Sequence, residues 1–455
     1  MFRLSDATRR LVTTGLFVLL CVVPTVIVIA VGVWRSLPGR NGAEERRLTL
    51  LFGQPVKIDS VRHLRPGVVL YEGLEIRDPE SERVLVQCDR LRAQRGTFVP
   101  EGAKEKQSRL QLSAGQLTIT AISAEKLKPM VDRLLQRRID GVLPYAVLGA
   151  KRLVLKHNRD EEFRAEQVGA WVTLRREESK VDINLCMEGT DKRKPVSLSI
   201  TRNRGYVPAV DGFVLATREV AVPCSLLATV MPPFPDLGPG SSFQGSIAAD
   251  HVPEGCHLGD QAFQWHGWNL RVEGTLQSID LQKLTAKHIP HEISGRGTLR
   301  LNKLQYKAGR IDSMAGELRA VDGRISWALI ASCVKDLGFK TSHTISSYRP
   351  LPYQELAFGF QLDGSGLALS GLCTADPPGA LLIDGYVARI DPPDPVHGWI
   401  PPANAVTAFV ATPGEDYLSV SRRAAPLLQR MPFLPAAAAA TIAAPQVMPP
   451  SVSRH

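Results

Sequence analysis

"GTLRLNKLQYKAG", residues 297 to 309, alternates apolar and polar side chains. Leu299 and Leu301 point away from Thr298, Arg300 and Asn302; farther on, Leu304 and Tyr306 oppose Gln305 and Lys307. A period of two is that of a β-strand, whose successive side chains leave opposite faces of a sheet. The same idiom spreads in both directions. "WNLRVEGTLQSIDLQKL" (268 to 284), "AGELRAVDGRIS" (315 to 326) and "ELAFGFQLDGSGLALSG" (355 to 371) repeat it, with Leu367 and Leu369 in the apolar set. Nearer the amino terminus, Val181, Ile183 and Leu185 of "KVDINLCME" face one way while Asp182 and Asn184 face the other. The similarity is one of pattern rather than of fixed period, so exact solenoid repeats are not implied.

A sheet with one apolar face must cover it with another sheet, with helices, or with a ligand as apolar as a core. Helices are predicted at few places. "NGAEERRLTLLFG" (41 to 53) has Asn41 to start it and Gly53 to end it. In "SAEKLKPMVDRLLQRRI" (123 to 139), Leu127, Met130, Val131, Leu134 and Leu135 fall at helical spacing behind Ser123. A third helix runs from Ser326 to Leu337, stopped by Gly338. Aromatic residues make up only 6% of the chain, while 37 Gly and 33 Pro supply turns, which favours an all-β class. With so little protein to cover it, the apolar face reads as a groove for lipid chains. Val181, Ile183, Leu185, Leu299, Leu301, Leu304, Tyr306, Leu367 and Leu369 are its candidate lining.

Upstream lies "LVTTGLFVLLCVVPTVIVIAVGVW", residues 11 to 34, which has no charge. As a helix it is long enough to cross a hydrocarbon core of roughly 30 Å, and it exceeds the about 7–15 apolar residues of a signal peptide. It is expected to stay as a transmembrane anchor, with Pro24 a tolerated kink. Arg3, Arg9 and Arg10 before it and Arg35, Arg40, Arg46 and Arg47 after it do not decide the orientation. Immediately beyond come short strands. In "VRHLRPGVVLYEGLEIRDPESERVLVQCDRLRAQ" (61 to 94), Pro66-Gly67 and Asp78-Pro79 separate extended pieces into a meander. "RLQLSAGQLTIT" (109 to 120) puts Leu110 and Leu112 in one phase and Leu117 and Ile119 in another, with Ala114-Gly115 as a turn or bulge between them.

The expected organisation is therefore a short cytoplasmic segment (1–10), the membrane helix (11–34) and a β region from 41 to 230 that includes the helix near 123–139. A Pro-rich elbow or linker (231–240), a second β region (241–423) and an Ala/Pro-rich tail (424–455) follow. The net charge of +10 comes from Lys and Arg spread along the whole sequence, which argues against a nucleic-acid tract and fits weak attraction to anionic lipid.

Signals for chemistry are weak. His251, Cys256, His257, Asp260 and His266 form the most metal-like cluster, but their spacing matches no zinc pattern. His288 and His291 flank a proline and do not share a helical face. No G-x-S-x-G, H-E-x-x-H or G-x-x-x-x-G-K-[ST] occurs. "GRG" (295 to 297) and "DGSG" (363 to 366) lie between strands and read as hairpin turns, and Asp363 and Asp384 as turn residues. Cys88, Cys186, Cys224, Cys256, Cys333 and Cys373 are scattered without the compact spacing of a disulfide framework.

The membrane helix followed by "LFGQPVKIDSVRHLRPGVVLYEGLEIRDPESERVLVQCDRLRA" (51 to 93) resembles the amino-terminal signature of AsmA-like proteins. "VEGTLQSIDLQKL", "ISGRGTLRLNKL" and "FQLDGSGLALSG" resemble their carboxy-terminal β module. The resemblance implies a single-pass inner-membrane anchor with the bulk of the chain in the periplasm. It implies a mainly β fold, an elongated curved antiparallel sheet with one or two short helices, whose apolar β-groove shields acyl chains. It implies phospholipid or another acyl lipid as partner, with an envelope protein as a further one, and neither catalytic residues nor a cofactor. The chain departs from the family in being short and in its prolines between 231 and 239. The alternative is a tethered β-domain protein of the envelope that binds partners and moves no lipid.

Overall fold

The computed structural model describes residues 26, 41–98, 107–120, 132, 135, 145–156, 162–175, 177–191, 193–230, 237–258, 261–262, 267–286, 289, 291–342, 349–374, 377–384, 388–393, 399–401, 404–405 and 407–408. The expected membrane helix (apart from Val26), most of the 123–139 helix, most of the 231–240 elbow and the tail lie outside them. Among the described residues no helix is long and apolar enough to cross a membrane.

Helix α1 (Asn41–Phe52) leads into β1 (Val56–Arg65), β2 (Val68–Arg77), β3 (Val84–Phe98), β4 (Gln107–Thr120) and β5 (Tyr145–Lys156). Then come β6 (Glu162–Leu174), β7 (Glu178–Met187), β8 (Val196–Asn203), β9 (Val210–Ala216), β10 (Val222–Pro223) and helix α2 (Cys224–Val230). After β11 (Ser242–Val252), the short β12 (His257–Leu258) and β13 (Gln261–Ala262) form a separate ribbon. The chain continues through β14 (Gly267–Asp280), α3 (Leu281–Thr285), β15 (Arg296–Lys307), β16 (Arg310–Ile325) and α4 (Trp327–Leu337). It finishes with β17 (Lys340–Thr341), β18 (Leu351–Asp363), β19 (Gly366–Gly371), β20 (Leu382–Ile383) and β21 (Arg389–Asp391).

These strands make one long, curved, open sheet, as the alternation predicts. From β1 to β9 each strand pairs with the next; β9 then pairs with β11, and the sheet continues through β14, β15, β16 and β18 to β19. The strands on either side of residues 231–240 are thus neighbours in a single sheet. One junction corrects the expectation of an antiparallel sheet throughout: β4 and β5 are parallel, Arg109 lying beside Tyr145 and Thr120 beside Lys156. Parallel neighbours need a crossover rather than a hairpin, and residues 121–144 are the intervening chain.

The slip of phase in β4 has a cooperative origin. Ile58, Leu74, Cys88, Leu117, Leu153 and Ala165 form one cross-strand row, and Val61, Tyr71, Leu91, Ala114, Ala150 and Val168 form the next. Within each strand the two members are three positions apart, although same-face neighbours in a regular strand are two apart. Each of β1 to β6 therefore carries one extra residue at the same level. Because all six carry it, their mutual register is kept. The stack ends at β7, where Glu166 and Val168 face the consecutive Cys186 and Leu185 and Gln167 is left over at φ 53°. Gly73 occupies this level in β2 at φ 63°, and a Cβ there would lie 1.9 Å from Asp59 Oδ2. So Ala114-Gly115 is an irregularity inside a continuous strand, and Leu110, Leu112, Leu117 and Ile119 share one face. A smaller bulge at Asn302 does the same in β15, since Leu301 faces Gly316 while Lys303 faces Ala315.

Two helices match their sequence signals. Gly53 ends α1 at φ 75°, and Ser326 caps α4, its Oγ accepting from the Leu329 N–H, with Gly338 left-handed beyond. Helices α2 and α3 were not expected. The "LQKL" that follows the strand idiom turns helical because the Asp280 carboxylate accepts from the Gln282 and Lys283 N–H groups. One hydrophobic cluster runs from Val56 to Ala408 and includes Leu329, Ile330, Cys333 and Leu337 of α4.

Candidate functional site

The register builds a single apolar face. Its central row passes through Val69, Ala93, Leu112, Leu148, Ala170, Ile183 and Leu198, then Leu215, Ile247, Val272, Leu304, Met314, Leu362 and Leu367, each directly opposite the next. No polar residue interrupts it from β2 to β19. At ~4.8 Å between strands the row is about 60 Å long. A second row beside it joins Leu110, Ala146, Val172, Val181, Ile200, Phe213, Ala249, Leu270, Tyr306 and Ile311. The opposite face is mixed, with Trp171, Asp182, Ser199 and Val214 in one row and Arg300 against Glu317 in another.

The nine residues singled out from the sequence all fall on the apolar face. Ile183, Leu304 and Leu367 belong to the central row, and Val181 and Tyr306 to the row beside it. Leu185 follows Val168 in the row that starts at Val61. Leu301 faces Gly274 and Gly316, Phe360 continues that row, and Leu369 faces Phe360. Leu299 faces Leu276 and Leu318. Val69, Ala93, Leu112, Leu148 and Leu198 complete the central row; their own alternation was legible, but nothing local marked them as its members.

Cover over this face is uneven. In the central row Val69, Ala93, Leu112, Leu148, Ala170, Ile183 and Leu198 are half-buried, and so are Leu304 and Met314. Between them Leu215, Ile247 and Val272 are closed over by protein, Ile247 completely. The row from Tyr71 to Val168 is buried as well, as are Val181, Leu301 and Leu367 among the nine. Protein thus fills the floor and the middle of the trough. The flank along the central row of β2 to β8 is the widest stretch left partly open.

One end of the face turns polar. Beyond Val181 and Ile200, Ser179, Arg202, Asp211, His251 and Trp268 stand opposite one another. The Arg202 guanidinium donates to both oxygens of Asp211 at 2.6 and 2.8 Å and to Asp132 at 2.8 Å, and the hydrogen bond with Asp211 leads in raising its pKa. His251 lies 5.0 Å from the Trp268 ring, which meets Phe213 edge-on at 6.3 Å. Ser179 is fully buried and its Oγ has no partner among the described residues.

Groups that carry chemistry elsewhere are held neutral. The six described cysteines are free thiols, and all but Cys186 are buried. Burial pushes the thiols of Cys88 and Cys373 up to about 11 and that of Cys333 up to about 12, so the nucleophilic thiolate is disfavoured. Tyr71 and Tyr353 rise to about 12, mainly through burial, and burial lowers His291. Among the described residues no three His, Cys, Asp or Glu side chains converge on a metal position. Cys256 instead directs its thiol to the Pro208 carbonyl at 3.4 Å, while Asp260 and His266 lie outside the described residues. The comparisons with known proteins add no relative: no family model matches the chain, and neither the curated proteins nor the solved structures give a significant match.

Proposed function

We propose that this protein is a membrane-tethered carrier that shelters lipid acyl chains on the apolar face of its sheet, in the manner of AsmA-like proteins. In this reading residues 11–34 anchor the chain in the inner membrane, and the sheet stands in the periplasm and serves phospholipid transport or envelope maintenance. The observation that carries the proposal is the unbroken central row, fourteen strands wide from β2 to β19, whose β2 to β8 portion protein covers only in part. Leaving that area to water is unfavourable by roughly 25 cal/mol per Å² of apolar surface, which an acyl chain would recover. The covered middle at Leu215, Ile247 and Val272 favours a cradle confined to β2 to β8 over one trough along the whole sheet.

The same covered floor supports a second reading, a tethered β-domain that recruits an envelope protein and holds no lipid. Lipid extraction and mass spectrometry of the full chain, purified under mild conditions, separate the two. Phospholipid co-purifying in a fixed ratio supports the carrier; protein free of acyl lipid leaves only the interaction domain.

A further inference from the structure

The end of the sheet from which the chain enters has a character of its own. At the β1–β2 hairpin Arg62, His63, Leu64 and Arg65 are all exposed, and Leu64 keeps 56% of its surface in water. The neighbouring strands add cations at the same level. The Arg95 N–H donates to the Gly67 carbonyl at 3.0 Å, Arg95 faces Leu110, and Gly96 faces Arg109. Arg65 on β1 and Arg95 on β3 thus flank β2, about two strand spacings of ~4.8 Å apart, and Arg109 on β4 lies one spacing farther. The stretches 61–70, 91–98 and 107–116 contain no Asp or Glu. The nearby Glu72 is bound to Arg62 at 3.2 Å, and residues 99–106, which join β3 to β4, carry Lys104 and Lys106 against Glu101 and Glu105, so the end is net cationic around one bare leucine.

Helix α1 fixes which way this end points. It runs antiparallel to β1: the Asn41 side chain donates to the Asp59 carbonyl, Glu45 accepts from the Ile58 N–H, and Thr49 accepts from the Val56 N–H. The start of α1 is therefore its end nearest the hairpin. The apolar segment 11–34 stops six residues before Asn41, a gap of at most about 25 Å of extended chain.

We propose that this hairpin end, with Leu64 beside its turn and Arg65 and Arg95 on the flanking strands, seats on the surface of an anionic phospholipid bilayer. Leu64 dips among the headgroups while the guanidiniums meet their phosphates, and half-buried Val69 and Ala93, the first members of the central row, are held on the membrane side. The inference rests on residues 11–34 being embedded; it does not require that lipid be carried.

The full chain carrying Leu64→Trp, reconstituted into vesicles of brominated phosphatidylcholine with or without equimolar phosphatidylglycerol, provides the test. Flotation first reports whether the anchor is embedded, and quenching of the added indole over the six native tryptophans then reports on the tip. Expected are strong quenching in anionic vesicles, weak quenching in neutral ones, and about fivefold weaker seating for each cation removed in Arg65→Gln and Arg95→Gln. Arg65→Lys keeps the charge and should keep the quenching. Val321→Trp, at a residue 52% exposed near the far end of the sheet, should stay unquenched. Protein that fails to float sinks the anchored reading. Protein that floats with Leu64→Trp no more quenched than Val321→Trp, or quenched regardless of lipid charge, overturns the seating itself.

Discussion

A carboxylate placed at Ile183 asks directly whether acyl chains lie over the apolar face. Ile183 sits on β7 between Ala170 and Leu198, half-buried, on the least covered stretch of the central row. Without lipid, Asp at this position remains in contact with water and costs little beyond the lost apolar area. Under acyl chains its charged form is desolvated and its pKa rises, by up to about 3–5 units for full burial. At pH 7 the group can escape that penalty by taking up a proton, which limits the loss to about (7 − 3.9) × 1.36, or roughly 4 kcal/mol. Lipid retention should therefore fall by as much as about a thousandfold. The sign follows from a pKa that is higher in the loaded state. Loading is intact below the free carboxyl pKa of about 3.9 and weakens by up to tenfold per pH unit above it, until the loaded-state pKa is passed. The assay counts phospholipid per chain by mass spectrometry for Ile183→Asp across that range, with Arg300→Asp as the control on the polar face. Equal lipid content in the two variants at neutral pH, or a deficit in Ile183→Asp that ignores pH, would refute acyl cover at this position.

Further consequences concern the sheet itself. Ile247→Ala, at a side chain with no exposed surface between Leu215 and Val272, should cost about 2–5 kcal/mol in the lipid-stripped protein and lower its melting temperature clearly more than Ile183→Ala does. A larger drop for Ile183→Ala would contradict the uneven cover. Gly245→Ala and Gly274→Ala should each destabilise by more than about 1–3 kcal/mol, because the new Cβ would stand 2.1 Å from the Glu273 carbonyl oxygen or 2.3 Å from that of Gln244. Gly149→Ala, with no atom within 4 Å, should melt within a few degrees of the parent. With iodoacetamide at neutral pH, Cys186 should be alkylated before the other five described thiols, which peptide mapping would read; early labelling of Cys88 or Cys333 would mean that the buried rows open readily.

What the amino-acid order decided by itself is local. Alternation in 180–188 and 297–307 set both the strands and the face each side chain takes, because a period of two leaves no other way to bury Val181, Ile183 and Leu185 together. Ser326 with Gly338 bounded α4, and Gly53 ended α1, through hydrogen bonds and backbone conformations that reach only a few residues, whereas the Asn41 side chain, expected to cap α1, instead donates to the distant Asp59 carbonyl. The phase slip at Ala114-Gly115 was visible too, but a slip in one strand does not say whether its neighbours slip with it, and the bulge at Asn302 emerged only from the pairing. Only pairing reveals that β1 to β6 carry their extra residue at one level, which turns six separate irregularities into a continuous apolar face. The parallel junction of β4 with β5 was equally hidden, since strand direction depends on the route of the connecting chain and not on the strand's own residues. Cover was beyond local reach as well. Ile183 and Ile247 are the same residue type and members of the same row, yet one is half-buried and the other closed, because burial belongs to segments distant in sequence that fold over the sheet.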